Sequence, residues 1–241
     1  KLKLIDMYEE LYNFCKVRDT DRINYSNRAK FLTALLDKLG IQYKIIRTFS
    51  DHYKKYFYNI YAFGSSDKFL SAHYDIIDIR SDNANDNSAS VINMIAYKVK
   101  NPSVNILILD GEEPPYGGSG SNYASKYMKK NGINPKWILN LELTGVGNNF
   151  FVDNSNSELR RRITAKYPRS LSISTPFNDA MIFRQFGYDS CVLTTLNMVD
   201  ERPDFSVMYH SHSPADSVDK MSTDDMKNFV ENTLHDIVMT C

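Results

Sequence analysis

Apolar residues recur at helical spacing at Leu4, Tyr8, Leu11, Tyr12 and Cys15, and again at Leu32, Leu35, Leu36 and Leu39, where Gly40 ends the run. The pattern predicts two amphipathic helices at the start. Ile41 to Arg47 and Tyr56 to Phe63 are instead dense in β-branched and aromatic residues, with Ser50 and Asp51 between them, as expected of two strands joined by a turn. From Phe69 onward the two signals alternate. A short apolar run to His73 precedes a helix marked by Ile92, Ile95, Ala96 and Val99, and Val104 to Leu109 reads as a buried strand. A helix over Tyr123 to Met128, closing at Gly132, leads to a strand over Trp137 to Leu143. Then come a basic helix over Ser157 to Tyr167, a helix over Asp179 to Phe186 ended by Gly187, and a strand over Cys191 to Leu196. Ser222 and Asp225 read as a capping box for a last helix with the stripe Met226, Phe229, Val230, Leu234, Ile237 and Val238.

Such alternation calls for crossover connections, so the expected class is α/β, a three-layer α/β/α sandwich with a mostly parallel, mixed central sheet. No repeat, linker or charge block interrupts residues 1–241, which predicts a single domain. A chain of 241 residues, 42% hydrophobic and 24% charged, can bury a large core and is not a disordered composition. Lys plus Arg (29) equals Asp plus Glu (29), so no net field gathers polyanions and nucleic acid is not an expected partner. Cys15, Cys191 and Cys241 are scattered outside any C-x-x-C spacing, which argues against a disulfide framework or a cysteine zinc knuckle. Apolar runs such as Ile106 to Leu109 are too short to span a bilayer, and no signal peptide is visible. The expectation is a soluble chain without a membrane partner. It begins at Lys1, which leaves room for a removed targeting segment and leaves the compartment, secreted or cytoplasmic, open; oligomeric state is equally open.

Candidate chemistry collects where strands run into loops, the usual place for it in open α/β sheets. His73 and Asp75 follow one strand, Asp86 lies in the loop SDNANDNSAS, Glu112 and Glu113 follow the strand ending at Asp110, Glu142 ends another, and His210 and His212 follow a long loop. Singly each has an ordinary reading: a core or surface histidine, a turn-forming or capping aspartate, a solvated acidic edge. Together, imidazole nitrogens and carboxylate oxygens without thiolates suit a catalytic zinc site. A short carboxylate such as Asp86 can bridge two metals, each completed by one histidine and one further carboxylate. Successive residues leaving a strand point in different directions, so of Glu112 and Glu113 one can bind metal while the other serves as base.

SAHYD (Ser71 to Asp75), NANDNSAS (Asn83 to Ser90), ILDGEEPPYGGSGS (Ile108 to Ser121), NLELTGVG (Asn140 to Gly147) and HSPADSVDKM (His212 to Met221) occur in the order found in the M28 family of zinc aminopeptidases, which the chain resembles from about Phe69 to Met221. The resemblance implies that family's zinc-peptidase fold, two zinc ions and a peptide substrate. It makes His73 and Glu142 ligands of the first zinc, Asp86 the bridge, and Glu113 and His212 ligands of the second. Glu112 becomes the general base, taking a proton from a zinc-activated water, and Asp75 the catalytic carboxylate that orients His73. It also implies a cis peptide before Asn87. His212 is preferred to His210 because Ser213, Asp216 and Ser217 follow it in the family's pattern; His210 is left as a neighbour lining the cleft. Asp179 corresponds to a supporting residue, and Gly117 to Gly120 to the turn into the helix after the glutamates.

Departures bear on specificity. Aspartate is common where Glu142 stands, Ala180 replaces a usual histidine, and Ser174, Thr175 and Pro176 offer no tyrosine to polarise the scissile carbonyl. The loop Met198 to Ser211 is long enough to help form a side-chain pocket. Removal of N-terminal residues is the expected reaction. A glutaminyl cyclase on the same scaffold, using one zinc, is the nearest alternative, and a non-catalytic binding protein the second. Retention of His73 and Glu142 favours a metal pair, and retention of the base favours an enzyme.

Overall fold

A computed structural model describes residues 6–18 and 26–241. Leu4 lies outside them. Helix α1 (Met7–Cys15) starts where the Asp6 carboxylate accepts the Tyr8 and Glu9 amides, and α2 (Asn27–Lys38) where Ser26 accepts from Ala29. Strands β1 (Lys44–Ser50) and β2 (Lys55–Ala62) form an antiparallel hairpin. The hairpin begins three residues later than Ile41 because the chain leaves α2 through a left-handed Gly40 and needs residues 41–43 to reach the sheet. Then follow β3 (Lys68–His73), α3 (Ala89–Lys100), β4 (Asn105–Leu109), α4 (Ser119–Lys130) and β5 (Trp137–Leu141). The remainder is β6 (Asn149–Asp153), α5 (Glu158–Lys166), β7 (Leu171–Ile173), α6 (Asp179–Gln185), β8 (Ser190–Val199), β9 (Arg202–Asp204), α7 (Thr223–Asn228) and α8 (His235–Thr240).

The sheet runs β1-β2-β4-β3-β5-β8-β6-β7, with β9 paired to the far end of β8. Its centre, β4-β3-β5-β8, is parallel, and β2, β6 and β7 run antiparallel to it, so the sheet is mixed as expected. Alternation along each strand makes two cores. Leu70, Ala72, Ile106, Ile108, Leu139 and Leu141 face α1, α2, α3 and the C-terminal helices, while Phe69, Leu107, Leu109 and Ile138 face α4 and α6.

Further expectations need correction. Strand β5 stops at Leu141 rather than Leu143, because Leu143 turns into the left-handed region (φ 56°). The loop beginning at Met198 is in part a hairpin: β8 runs to Val199, turns at Asp200 and Glu201, both of positive φ, and returns as β9. Strands β6 and β7, short and partly polar, carried no clear periodic signal. The last helix is broken by a π turn over Phe229–Leu234, and the box at its start is one-sided: Ser222 caps the Asp225 amide, but the Asp225 carboxylate accepts from Gly147 N–H at 2.8 Å instead. Among the described residues no helix is long and apolar enough to cross a membrane.

Candidate metal centre

Strand β3 runs to one side through α3 into β4, and β4 runs back through α4 into β5 on the other side of β3. This reversal opens a crevice at the carboxyl ends of the strands. His73 is the last residue of β3, Glu112 and Glu113 follow β4, and Glu142 follows β5, so the topology alone gathers four of the candidates. Asp86 enters in the turn over Ala84–Ser88, and the peptide between Asp86 and Asn87 is cis, as the resemblance implies. His212 arrives with positive φ (63°) from the loop ahead of α7, held by the turn around Ser213.

All five proposed ligands converge. His73 Nε2 stands 3.4 Å from Asp86 Oδ1, 3.5 Å from Glu142 Oε2 and 3.5 Å from Glu112 Oε2. On the far side of Asp86, His212 Nε2 lies 3.1 Å from Asp86 Oδ2 and 3.0 Å from Glu113 Oε2. Asp86 therefore spends one oxygen on each histidine, and Glu112 and Glu113 diverge to the two sides. Only His212 is substantially exposed, its side chain being 47% accessible. It is His212, not His210, whose ring meets the Asp86 and Glu113 carboxylates.

The surroundings fix these positions. Asp75 faces His73 Nδ1 at 3.3 Å, and its two oxygens accept the backbone N–H groups of Glu112 and Glu113 at 3.0 Å each. Asp216 does the same for the Asp86 turn, accepting from Asn85 N–H at 2.8 Å and Asp86 N–H at 3.1 Å. Asn87 donates to Leu141 O at 2.9 Å and accepts from Leu143 N–H at 3.1 Å, which holds Leu143 in its left-handed conformation and aims Glu142 inward. Asn140, itself held by Ser71, donates to Glu142 Oε1. Asp179 is fully buried, with one oxygen accepting from Ser121 at 2.6 Å and the other without a partner.

Without a cation the cluster retains protons. Burial pushes Glu112 well above the carboxylate range, against the attraction of His73 and with the help of Glu142 and Asp179. Burial and then Asp86 push Glu113 up to about 7, and burial raises Glu142 and brings Asp179 to about 7. His73 is raised in spite of its burial because Glu142 and Glu112 face it, and its contacts with Asp86 and Glu113 bring His212 to about 10. Asp86 is buried too, yet the two imidazoles hold it well below the usual range.

Whether zinc suits this donor set can be tested on spacing. Around a tetrahedral ion with bonds of about 2.0–2.1 Å, neighbouring donor atoms sit about 3.3 Å apart. The separations of 3.4 and 3.5 Å around His73, where Glu112 stands at the same 3.5 Å as Glu142, and of 3.1 and 3.0 Å around His212 match that value. His73 Nε2 is buried without a hydrogen-bond partner, as an imidazole aimed at an ion would be. The residues present fit the group.

Residues 64–237 match the model of peptidase family M28, about seven-tenths of the chain. The chain belongs to peptidase family M28. Among solved structures, this M28 chain is similar to the Legionella pneumophila LapA aminopeptidase, with a TM-score of 0.73 and 14% identity over 96% of this chain and 69% of LapA. BSAP, a zinc aminopeptidase from Bacillus subtilis, gives 0.60 and 17% over 75% of this chain and 49% of its own. The Porphyromonas gingivalis glutaminyl cyclase gives 0.70 and 16% over 98% of this chain and all of its own. At these identities the likeness establishes the shared fold. No curated protein matches the chain.

Proposed function

We propose that this M28 chain is a zinc-dependent aminopeptidase. His73, Asp86 and Glu142 would hold one ion and Asp86, Glu113 and His212 a second. The observation that carries this reading is Asp86, which presents one oxygen to each histidine at 3.4 and 3.1 Å, the arrangement a bridging carboxylate needs. Zinc bound there supplies Lewis acidity, activating a water and polarising the scissile carbonyl.

The protein's own groups do the rest. Glu112 is the general base and then the acid: its carboxylate accepts the water's proton and returns it to the departing amine. Glu112 stands as near His73 as Glu142 does, and taking Glu142 as ligand and Glu112 as base follows the family's pattern. Asp75 fixes the His73 ring and, through the two amides it accepts, the directions in which Glu112 and Glu113 leave the backbone. Glu142 and Asp86 leave negative charge at the first site, which would attract the free α-amine of a peptide. This favours the N-terminal residue as the one removed.

A glutaminyl cyclase is the second reading, favoured by the match of this chain to the full length of the Porphyromonas gingivalis enzyme. A mixed peptide library that includes N-terminal glutamine, digested and read by mass spectrometry, separates the two. An aminopeptidase shortens peptides from the amino end. Loss of ammonia from glutamine peptides without shortening would replace this reading with the cyclase, and trimming from the carboxyl end would overturn both.

A further inference from the structure

Arg28 lies near the start of α2, ahead of the residues matched by the family model, and has no place among the motifs of the site. Its position alone suggests a solvated helix residue, yet it is 1% exposed. Its guanidinium stacks on the Phe14 ring at 3.9 Å and reaches three segments among the described residues. Nε donates to Tyr74 O at 2.8 Å, Nη2 donates to Ser88 Oγ at 3.0 Å, and Nη1 donates to Val17 O at 2.9 Å and Phe14 O at 3.2 Å. Tyr74 sits between His73 and Asp75. Ser88 sits two residues beyond Asp86.

We infer that Arg28 is a positioning residue for the metal centre, setting the separation between the His73–Asp75 strand end and the Asp86 turn. This rests on the zinc reading above. The guanidinium is planar, and its donors leave in fixed directions, so bonding Tyr74 O through Nε and Ser88 through Nη2 sets the two segments at one spacing. The 3.4 Å between His73 Nε2 and Asp86 Oδ1 depends on that spacing. A lysine ammonium carries the same charge but lacks the fork, and cannot reproduce these directions. The Nη1 bonds extend the brace to the end of α1. There Lys16 and Arg18 hold the Asp82 carboxylate, whose other oxygen accepts from Val218 N–H at 2.9 Å, just beyond the His212 loop. The amino-terminal segment thus ties together the Asp86 turn and the His212 loop.

The test is zinc affinity by competition with a chromophoric chelator, on the full chain, with melting temperature measured alongside. Wild type, Arg28→Lys, Ser88→Ala and Leu32→Ala are compared, the last being a core truncation in the same helix that removes no hydrogen bond to the site. Arg28→Lys should bind zinc about 10–100-fold more weakly, the usual cost of losing an outer support of a metal site. Ser88→Ala should lose several-fold, whereas Leu32→Ala should melt lower with its zinc affinity unchanged. Affinity of folded Arg28→Lys within twofold of wild type overturns the inference and leaves the zinc reading standing. If Arg28→Lys does not fold, Ser88→Ala gives the answer by the same criterion. Absence of zinc binding by the wild type overturns the zinc reading, and this inference with it.

Discussion

The proposed mechanism gives the chain neighbours Glu112 and Glu113 opposite tasks, and Asp75 accepts both of their amides. Glu112→Gln keeps the shape but cannot take a proton, so turnover should fall by about 10²–10⁴-fold with zinc content unchanged. Kinetics with elemental analysis of the same sample checks this; near-normal turnover would remove Glu112 from the role of base. His212→Ala and Glu113→Ala remove donors from one side of Asp86 and should each lower bound zinc, whereas an unaltered metal content would refute those ligands. Asp75→Ala should cost about 10–100-fold in zinc affinity, since it frees His73 and the glutamates together. At this scale His73, Glu112, Glu113 and Glu142 were legible as polar residues ending apolar strands, whereas Asp86 and His212, which lie in loops, were legible only through the family's motifs. Arg28 was not. Nothing in its local sequence separates a buried brace from an ordinary surface arginine.

Elements bring these residues together through close approaches that leave no room for side chains. A Cβ on Gly120 would lie 1.8 Å from the Asp110 carbonyl oxygen, so α4 can pack against the end of β4 only with glycine there. Gly120→Ala should therefore destabilise the fold by about 1–3 kcal/mol or more and displace the paired glutamates, lowering both melting temperature and activity. An unchanged melting temperature would show that the turn has slack. Strands and helices with clean periodicity, such as β4 and α3, were readable from the sequence. Strands β6, β7 and β9 were not: three to five residues long, they owe their state to pairing with β8, with each other and with the sheet edge rather than to local pattern. The late start of β1 follows the left-handed turn at Gly40 that ends α2, and the early end of β5 follows Leu143, whose left-handed backbone is held by Asn87.

For the molecule as a whole, acidity and metal act on the same groups. In zinc-stripped protein His212 titrates near 10 in place of an ordinary 6.5, and Glu113 near 7 in place of 4.5. Both folded values are raised. The stability His212 contributes is complete below about 6.5 and lost as pH climbs through about 10, and that from Glu113 is complete below about 4.5 and lost through about 7. The melting temperature of stripped protein should accordingly fall between about pH 5 and pH 10, and a steady rise across that window would contradict the assignment. Zinc binds the deprotonated ligands, so its affinity should increase with pH and its binding should release protons, which calorimetry in buffers of different ionisation enthalpy measures directly.

The central claim is that His73, Asp86, Glu113, Glu142 and His212 form one centre for two ions. Diffraction from crystals soaked in zinc, collected on both sides of the zinc absorption edge, tests it most directly. The account predicts two anomalous peaks flanking Asp86, one beside His73 and Glu142 and the other beside Glu113 and His212. Zinc bound elsewhere, with no anomalous signal at Asp86, would contradict it.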